Sequence, residues 1–208
     1  MEDLSFIILP LTLLATAVMA ASASIQAHRA EMDAFGATVL AIATGMGGGT
    51  LRDLFLGLTP VFWINDLRYM AVAIPVALLG FLLASRISPG SGQRLSVLLH
   101  LDAIGLALFT LTGLQVALNA GVHPLMAIVL GCITGTAGGM IRDLLCNMTP
   151  SLLKEDLYAT ISLAGGGIFI ALLPMIGETP ALAVSFLSML LARVVVLAHA
   201  RRTGANTT

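Results

Sequence analysis

Two short stretches of the chain combine glycine clusters with adjacent charges. The first, GMGGGTLRD, runs from Gly45 to Asp53, and the second, GTAGGMIRD, runs from Gly135 to Asp143. Each falls within a long apolar segment, where an isolated charge costs at least about 2.5–3.5 kcal/mol. Charges in such places pair with one another or face water, and they often mark routes for ions or polar solutes.

The glycine clusters have two physical interpretations. Each glycine costs a helix about 1 kcal/mol relative to alanine, so several together favour a break. The backbone groups that a break frees are tolerated in a membrane only beside protein or water. Alternatively, small residues let two helix backbones pack closely. Because an Arg-Asp step follows both clusters, we favour kinked helices that line an aqueous pathway.

Thr50 has the position of a helix cap in the first motif. With Asp53 three residues later, it has the spacing of a capping box. We therefore expect Thr50 to cap a half-helix that begins in mid-membrane. Met140 occupies the matching place in the second motif and cannot cap, so that helix is expected to kink less sharply or to be capped otherwise.

The charges of the two motifs are expected to form crossed ion pairs. Adjacent residues point about 100° apart on a helix, which disfavours pairing within one motif. The predicted pairs are therefore Arg52 with Asp143 and Arg142 with Asp53. They either contact a permeating species or only lock the fold, and the sequence favours neither role.

Three further charges lie in or near apolar segments. Asp33 and Asp102 have no basic partner three or four residues away within their own apolar segments. They are predicted either to attract cations at an inner mouth or to contact headgroup water. Arg193 lies inside the last apolar segment, and its side chain is predicted to snorkel to the inner interface.

The composition indicates that lipid, and not water, surrounds much of the protein. Hydrophobic residues make up 58% of the 208 residues, charged residues 10%, and the mean hydropathy is +0.99. Soluble domains average roughly 45–50% apolar and 25% charged residues. The net charge of −1 argues against nucleic acid as a partner. Cys132 and Cys146 are predicted to be small buried hydrophobes, and no metal site, cofactor site or enzyme motif is recognised.

Seven segments approach the roughly 20 apolar residues that a membrane span needs. We predict an all-α membrane protein forming a single domain, 1–208, with spans at 4–27, 33–58, 67–85, 96–119, 122–148, 157–176 and 180–199. Basic residues accumulate on the cytoplasmic side of membrane proteins. With the N-terminus outside and the C-terminus in the cytoplasm, Arg68 lies outside, and the inner side receives Arg29, Arg86, Arg94, Lys154, Arg201 and Arg202.

The chain also repeats itself. A shift of 90 residues superimposes Arg52-Asp53 on Arg142-Asp143, together with the flanking glycines and Thr-Pro dipeptides, without a gap. Repeat one covers about 4–85, repeat two about 96–176, and a seventh helix about 180–199. Three spans per repeat is an odd number, so the second copy is expected to be inverted, as in many transport proteins.

The paired motifs resemble those of the prokaryotic trimeric intracellular cation (TRIC) channel family, which also carries a label as a glycine transporter family. The likeness rests on GGGTLRDLFLGLTP at 47–60 and GGMIRDLLCNMTP at 138–150. It implies a seven-helix homotrimer in a prokaryotic inner membrane, with a pore in each subunit that conducts K⁺ or Na⁺, chiefly K⁺. It also implies kinks at Gly47, Gly48, Gly49, Gly138 and Gly139, with Ala137 in place of the first glycine of the second triplet.

Two other functions compete with a passive channel. A secondary transporter of a small amino acid such as glycine fits inverted repeats and broken helices equally well, because a half-helix starting at Thr50 could hold a substrate carboxylate. A non-conducting scaffold fits poorly, since it does not explain buried arginine and aspartate.

Overall fold

The chain folds into helices that pack against one another through buried apolar residues. The computed structural model describes residues 2–86, 92–154 and 157–203, and contains no strand among them. The helices are α1 (Glu2–Arg29), α2 (Ala34–Leu56), α3 (Arg68–Ala84), α4 (Gln93–Asn119), α5 (Pro124–Leu145), α6 (Ser151–Lys154), α7 (Tyr158–Ile176) and α8 (Glu178–Thr203).

Six of these helices are long and apolar enough to cross a membrane: α1, α2, α4, α5, α7 and α8. Helix α3 is apolar but has 17 residues, and α6 is a single turn. Large apolar side chains such as Phe55, Leu79 and Leu191 remain more than half exposed on the outside. The prediction of an all-α membrane protein is therefore confirmed.

The helix boundaries repeat along the chain. Helix α4 ends 90 residues after α1, while α5 and α7 begin 90 residues after α2 and α3. Helices α1, α2 and α3 thus form one set, and α4, α5 and α7 form a second. Within each set, every helix packs on the other two. The sets join through α1 against α4 and α2 against α5, while α8 packs on α7 and α4. The 90-residue repeat of the sequence thus recurs in the helix order and packing.

Local hydrogen bonds define both ends of α2. Asp33 accepts a hydrogen bond from the backbone N–H of Gly36 at 2.7 Å, so it is the N-cap. Gly57 follows the last turn in the left-handed conformation, with φ of 67°. Asp33 is exposed and its carboxylate has a capping role that the sequence analysis did not assign. Its attraction for cations stays a prediction.

A surface ion pair lies in the connection between α2 and α3. Arg68 donates to Asp66 at 2.7 Å, and this hydrogen bond lowers the pKa of the Asp66 carboxyl. The predicted orientation also uses Arg201 and Arg202, whose side chains lie outside the described part of the structure. Residues 87–91 of the loop before α4 lie outside it as well.

The glycine motifs lie where α2 and α5 cross. A Cβ atom on Gly48 would overlap the carbonyl oxygen of Thr134, and one on Gly138 would overlap that of Thr44. These two contacts are equivalent under the 90-residue shift. Reciprocal contacts of this kind are what a two-fold relationship between two surfaces produces. The glycines therefore allow backbone-to-backbone contact, the close packing that the sequence analysis considered second.

The predicted half-helix at Thr50 is wrong. Helix α2 continues without a break through all three glycines, and the Thr50 hydroxyl donates to the Met46 carbonyl at 2.8 Å. Helix α5 is likewise unbroken. The cost of the glycines is offset by the contacts that they allow across the crossing. A bend without a break at Gly47, Gly48, Gly49, Gly138 and Gly139 stays a prediction.

We expect Gly48→Ala to lower the free energy of unfolding by about 1–3 kcal/mol, because the new methyl group must displace backbone. The measurement is thermal and denaturant unfolding of the purified protein in detergent. Gly167→Ala is the matched control, because nothing lies within 4 Å of a Cβ atom there. Equal stability of the two variants would contradict the close crossing.

A buried charge network as the candidate functional site

The Arg-Asp step of α2 forms a pair within itself. Arg52 donates from Nε and Nη2 to Oδ1 of Asp53, at 2.9 and 2.7 Å. The guanidinium also lies 5.4 Å from the ring centroid of Phe62. Oδ2 of Asp53 accepts a hydrogen bond from the backbone N–H of Phe62 at 2.8 Å. Both charged side chains are almost fully buried.

The Arg-Asp step of α5 forms a larger network. Arg142 is 1% exposed. It donates from Nε to Asp143 Oδ1 at 2.9 Å, and from Nη1 to Asp102 Oδ1 at 2.8 Å and Ser22 Oγ at 2.6 Å. Oδ2 of Asp143 accepts from the backbone N–H of Ser151 at 3.1 Å. Helices α1, α4 and α5 thus meet at one buried guanidinium, and the start of α6 joins them through Asp143.

The predicted crossed pairs are therefore wrong. Arg52 pairs with Asp53 rather than Asp143, and Arg142 pairs with Asp143 and Asp102. The 100° angle between adjacent side chains does not prevent pairing within one motif, because an arginine side chain is long enough to reach the next residue. Its planar fork then presents several N–H groups to one carboxylate.

Asp102 is buried within the protein rather than placed at a mouth. It is 1% exposed, and its Oδ2 accepts a hydrogen bond from the Tyr158 hydroxyl at 2.6 Å. Its basic partner Arg142 comes from another helix, which a search along α4 alone could not find. Gly139 lies beside this site, where a Cβ atom would come within 3.1 Å of Asp102 Oδ1.

Arg193 does not snorkel. Its side chain is fully buried, and its guanidinium lies 4.6 Å from the ring centroid of Tyr158. A cation over an aromatic face is attracted by about 0.5–2 kcal/mol, more when desolvated. Arg193 therefore joins α8 to the side of the network formed by Tyr158 and Asp102.

Aromatic residues are the part of the site that sequence analysis missed. Trp63 donates from Nε1 to the Thr50 hydroxyl at 2.9 Å, and Phe62 and Tyr158 contact the two arginines or their partners. The rarity of two of these residue types could have drawn attention to them, because the chain has one tryptophan and two tyrosines. Among the described residues, no cluster of three or more His, Cys, Asp or Glu could hold a metal ion.

The fold and the site define a polytopic α-helical membrane protein whose apolar core encloses ion-paired charges. The chain belongs to the family described as "Glycine transporter", whose model matches residues 9–85 and again residues 99–174. The two matches begin 90 residues apart, in agreement with the internal repeat.

Curated relatives are membrane proteins of bacteria. The chain is 45% identical over 153 residues to a "UPF0126 membrane protein" of Vibrio cholerae, covering 73% of this chain and 62% of that one. It is 40% identical over 156 residues to the "UPF0126 inner membrane protein YadS" of Escherichia coli, covering 75% and 74%. The match to the first relative thus leaves over a third of its length uncovered.

Solved structures of the same fold are TRIC channels. The TRIC trimeric intracellular cation channel orthologue from Rhodobacter sphaeroides has 37% identity and a TM-score of 0.86, covering 92% of this chain and 97% of that chain. A prokaryotic TRIC channel crystallised in 0.5 M KCl has 27% identity and a TM-score of 0.88, covering 94% and 98%. The resemblance seen in the sequence motifs is confirmed.

We expect double-mutant cycles to separate the observed pair from the crossed one. Arg52→Met combined with Asp53→Asn should depart from additivity in the free energy of unfolding by about 0.5–3 kcal/mol, because the two side chains share hydrogen bonds. Arg52→Met combined with Asp143→Asn is the matched control and should add within about 0.5 kcal/mol. The reverse outcome would restore the crossed pairs.

Proposed function

We propose that this protein is a passive channel for monovalent cations, chiefly K⁺, with a pathway through each subunit. The observation that carries the proposal is the structural likeness, at 37% identity over 92% of this chain, to a protein described as a cation channel. The neighbours of known structure are ion channels rather than enzymes. We assign no cofactor, and the permeating species is K⁺ or Na⁺.

The buried charges support a polar pathway. Placing Arg52, Asp53, Arg142, Asp143 and Asp102 within an apolar bundle is costly even when they are paired. A scaffold that only had to hold helices together would gain more from apolar packing. Charged side chains inside membrane proteins face the bundle interior or a water-filled cavity, and they mark ion pathways.

We place the pathway along the motif faces of α2 and α5. Burial follows the same order over residues 44–56 and 134–146, with one difference, at position 47 against 137. The residue before the Arg-Asp step is partly exposed on both helices, as Leu51 on α2 and Ile141 on α5. Thr50 and its counterpart Met140 are partly exposed as well. The partly exposed strip is therefore duplicated, as expected of a passage shared by two related halves.

The proposed topology has seven spans, with α3 as the third. Its 17 residues are at the lower end of the length that crosses a bilayer. With three spans per repeat, the second repeat enters the membrane upside down. The reciprocal contacts of Gly48 and Gly138 support that inversion. The N-terminus is then outside, the C-terminus is in the cytoplasm, and the membrane is the inner membrane of a prokaryote.

The proposed assembly is a homotrimer within the lipid bilayer. Its support is the description of the Rhodobacter sphaeroides neighbour as a trimeric channel, together with the coverage of nearly the whole of both chains. We assign no nucleic acid partner, because the chain carries a net charge of −1.

A glycine carrier is the second candidate, and the description of the matching family favours it. Helix α2, however, does not have the break on which the carrier depends. A half-helix N-terminus at Thr50 was to hold the substrate carboxylate, but α2 runs unbroken through that residue. The carrier therefore lacks the carboxylate site that the sequence predicted at Thr50.

We expect discrete single-channel currents when the purified full-length protein is placed in a planar bilayer under a KCl gradient. The reversal potential should be shifted from zero towards the K⁺ equilibrium potential, because the pathway conducts cations. Glycine uptake into liposomes from the same preparation is the comparison. Silent bilayers together with saturable glycine uptake would replace the channel by the carrier.

Reporter fusions test the topology. Green fluorescent protein at the C-terminus should fluoresce, because this end is placed in the cytoplasm, and alkaline phosphatase there should be inactive. Alkaline phosphatase in the loop between α4 and α5, at Gly121, should be active. Alkaline phosphatase in the loop between α1 and α2, at Ala30, should be inactive. Activity there, together with a cytoplasmic C-terminus, would mean an even number of spans and would remove α3 from the membrane.

A further inference from the structure

A buried amide lies where α4 meets the start of α8. Gln115 is 2% exposed, and its Nε2 donates a hydrogen bond to Oε1 of Glu178 at 2.5 Å. The amide oxygen of Gln115 is buried as well, and it has no hydrogen-bond partner in the described part of the chain. Native proteins supply such buried acceptors with a donor, a water molecule or an ion.

The carboxylate of Glu178 decides how this amide is oriented. An ionised carboxylate only accepts hydrogen bonds, so the NH₂ group of Gln115 has to face it. The amide oxygen is bonded to the same carbon atom as the nitrogen, and it therefore stays within a few ångströms of the carboxylate. Two oxygen-bearing groups, one of them charged, are thus adjacent, and the oxygen of the neutral one still lacks a partner among the described residues.

The link between α7 and α8 holds Glu178 in place. Gly177 is the one residue between the two helices, and its φ of 80° is a conformation that suits glycine. The Gly177 carbonyl accepts from the backbone N–H of Ala181 at 3.2 Å, which closes the first turn of α8. The dipole of α8 favours a carboxylate in this turn, but it does not explain the buried amide beside it.

The first repeat fills the equivalent place with an apolar residue. The 90-residue shift relates Gln115 to Ile25, which is 6% exposed and packs with Ala84, Leu98 and Leu99. The counterpart of Glu178 is Ser88, which lies outside the described residues. Because an apolar side chain suffices for packing at this position of the bundle, the amide of Gln115 needs another explanation.

We infer that Gln115 and Glu178 bind a monovalent cation, K⁺ or Na⁺, through the amide oxygen and the carboxylate. Within the described ranges, every ion pair involves residues other than Glu178, so its charge is not neutralised by a basic side chain there. A bound cation neutralises the carboxylate and gives the amide oxygen its missing partner. Amide and carboxylate oxygens can replace part of the hydration shell of such an ion.

The charge of the site favours a monovalent ion over a divalent one. Ca²⁺ takes about six to eight oxygen ligands, usually from several carboxylates, whereas one carboxylate balances one K⁺ or Na⁺. The site belongs to α4 and α8, while the proposed pathway follows α2 and α5. The inference therefore goes beyond the proposed function, and it assigns to the ion the task of fastening α8 to α4.

The test is the thermal unfolding midpoint of the purified full-length protein in detergent, in KCl and in choline chloride of equal ionic strength. A ligand that binds only the folded state raises this midpoint. K⁺ should raise it by about 2–5 °C once its concentration is about ten times the dissociation constant. Gln115→Leu keeps the size of the side chain without the oxygen and should lose most of this difference, as should Glu178→Gln.

Ser185→Ala is the matched control. The Ser185 hydroxyl is also buried on α8 and has no partner in the part of the chain that the structure describes. It lies seven residues after Glu178, which is about 10 Å along the helix axis and too far to share the ion. Removing it should leave the K⁺ effect unchanged.

Three outcomes would overturn the inference. Equal midpoints of the wild type in K⁺ and in choline would leave the amide oxygen to a water molecule. An undiminished K⁺ effect in Gln115→Leu or Glu178→Gln would place the ion elsewhere in the protein. An equal loss in Ser185→Ala would assign the effect to a general loosening of α8.

A further variant covers the case in which Gln115→Leu or Glu178→Gln does not fold. Gln115→Glu keeps an oxygen at this place, and two adjacent carboxylates need a cation more than one does. Its K⁺ effect should equal or exceed that of the wild type, and loss of the effect would refute the site.

The same measurement separates this inference from the proposed function. Binding to the folded protein requires no conduction, so a protein that is silent in planar bilayers should still be stabilised by K⁺. Silence of that kind would refute the channel alone. Currents from a protein whose variants at Gln115 and Glu178 keep the full K⁺ effect would refute the cation site alone.

Discussion

The energetic cost of placing charge in an apolar bundle controls this structure. Arg142 has almost no contact with solvent, so its guanidinium must be neutralised from within the protein. Asp143 from its own helix and Asp102 from α4 do this, and Ser22 from α1 takes a further N–H. A single side chain thereby fixes the positions of three helices relative to one another. Losing Arg142 would leave two buried carboxylates, Asp102 and Asp143, without the cation that they share.

The two halves share a plan and differ in how they meet that constraint. In the first half, one arginine and one aspartate satisfy each other, and Phe62 covers the guanidinium. In the second half, two further helices contribute Asp102 and Tyr158, and α8 contributes Arg193. Duplication explains the helices and their crossing, whereas the chemistry of the site depends on residues by which the copies have diverged.

Much of the architecture could be predicted because it depends on periodic features. Apolar length located the helices, and the spacing of Arg52-Asp53 and Arg142-Asp143 revealed the repeat. The pairing of these charges could not be predicted, since it depends on the torsion angles of long side chains and on Asp102, which is distant in sequence. Thr50 illustrates the same limit. Its spacing to Asp53 suggested a cap, but close packing across Gly48 keeps the helix intact and leaves the hydroxyl to bond Met46.

Each aspartate of the repeated motif divides its two oxygens between different tasks. One oxygen neutralises the neighbouring arginine, and the other accepts a backbone N–H from the segment that follows the helix, at Phe62 in one copy and Ser151 in the other. The linkers leaving α2 and α5 are consequently fastened to the same carboxylates that stabilise the buried cations. Pulling on either linker would strain a buried arginine close to the C-terminal end of its helix, so movement of the linkers is coupled to the charges that the bundle encloses.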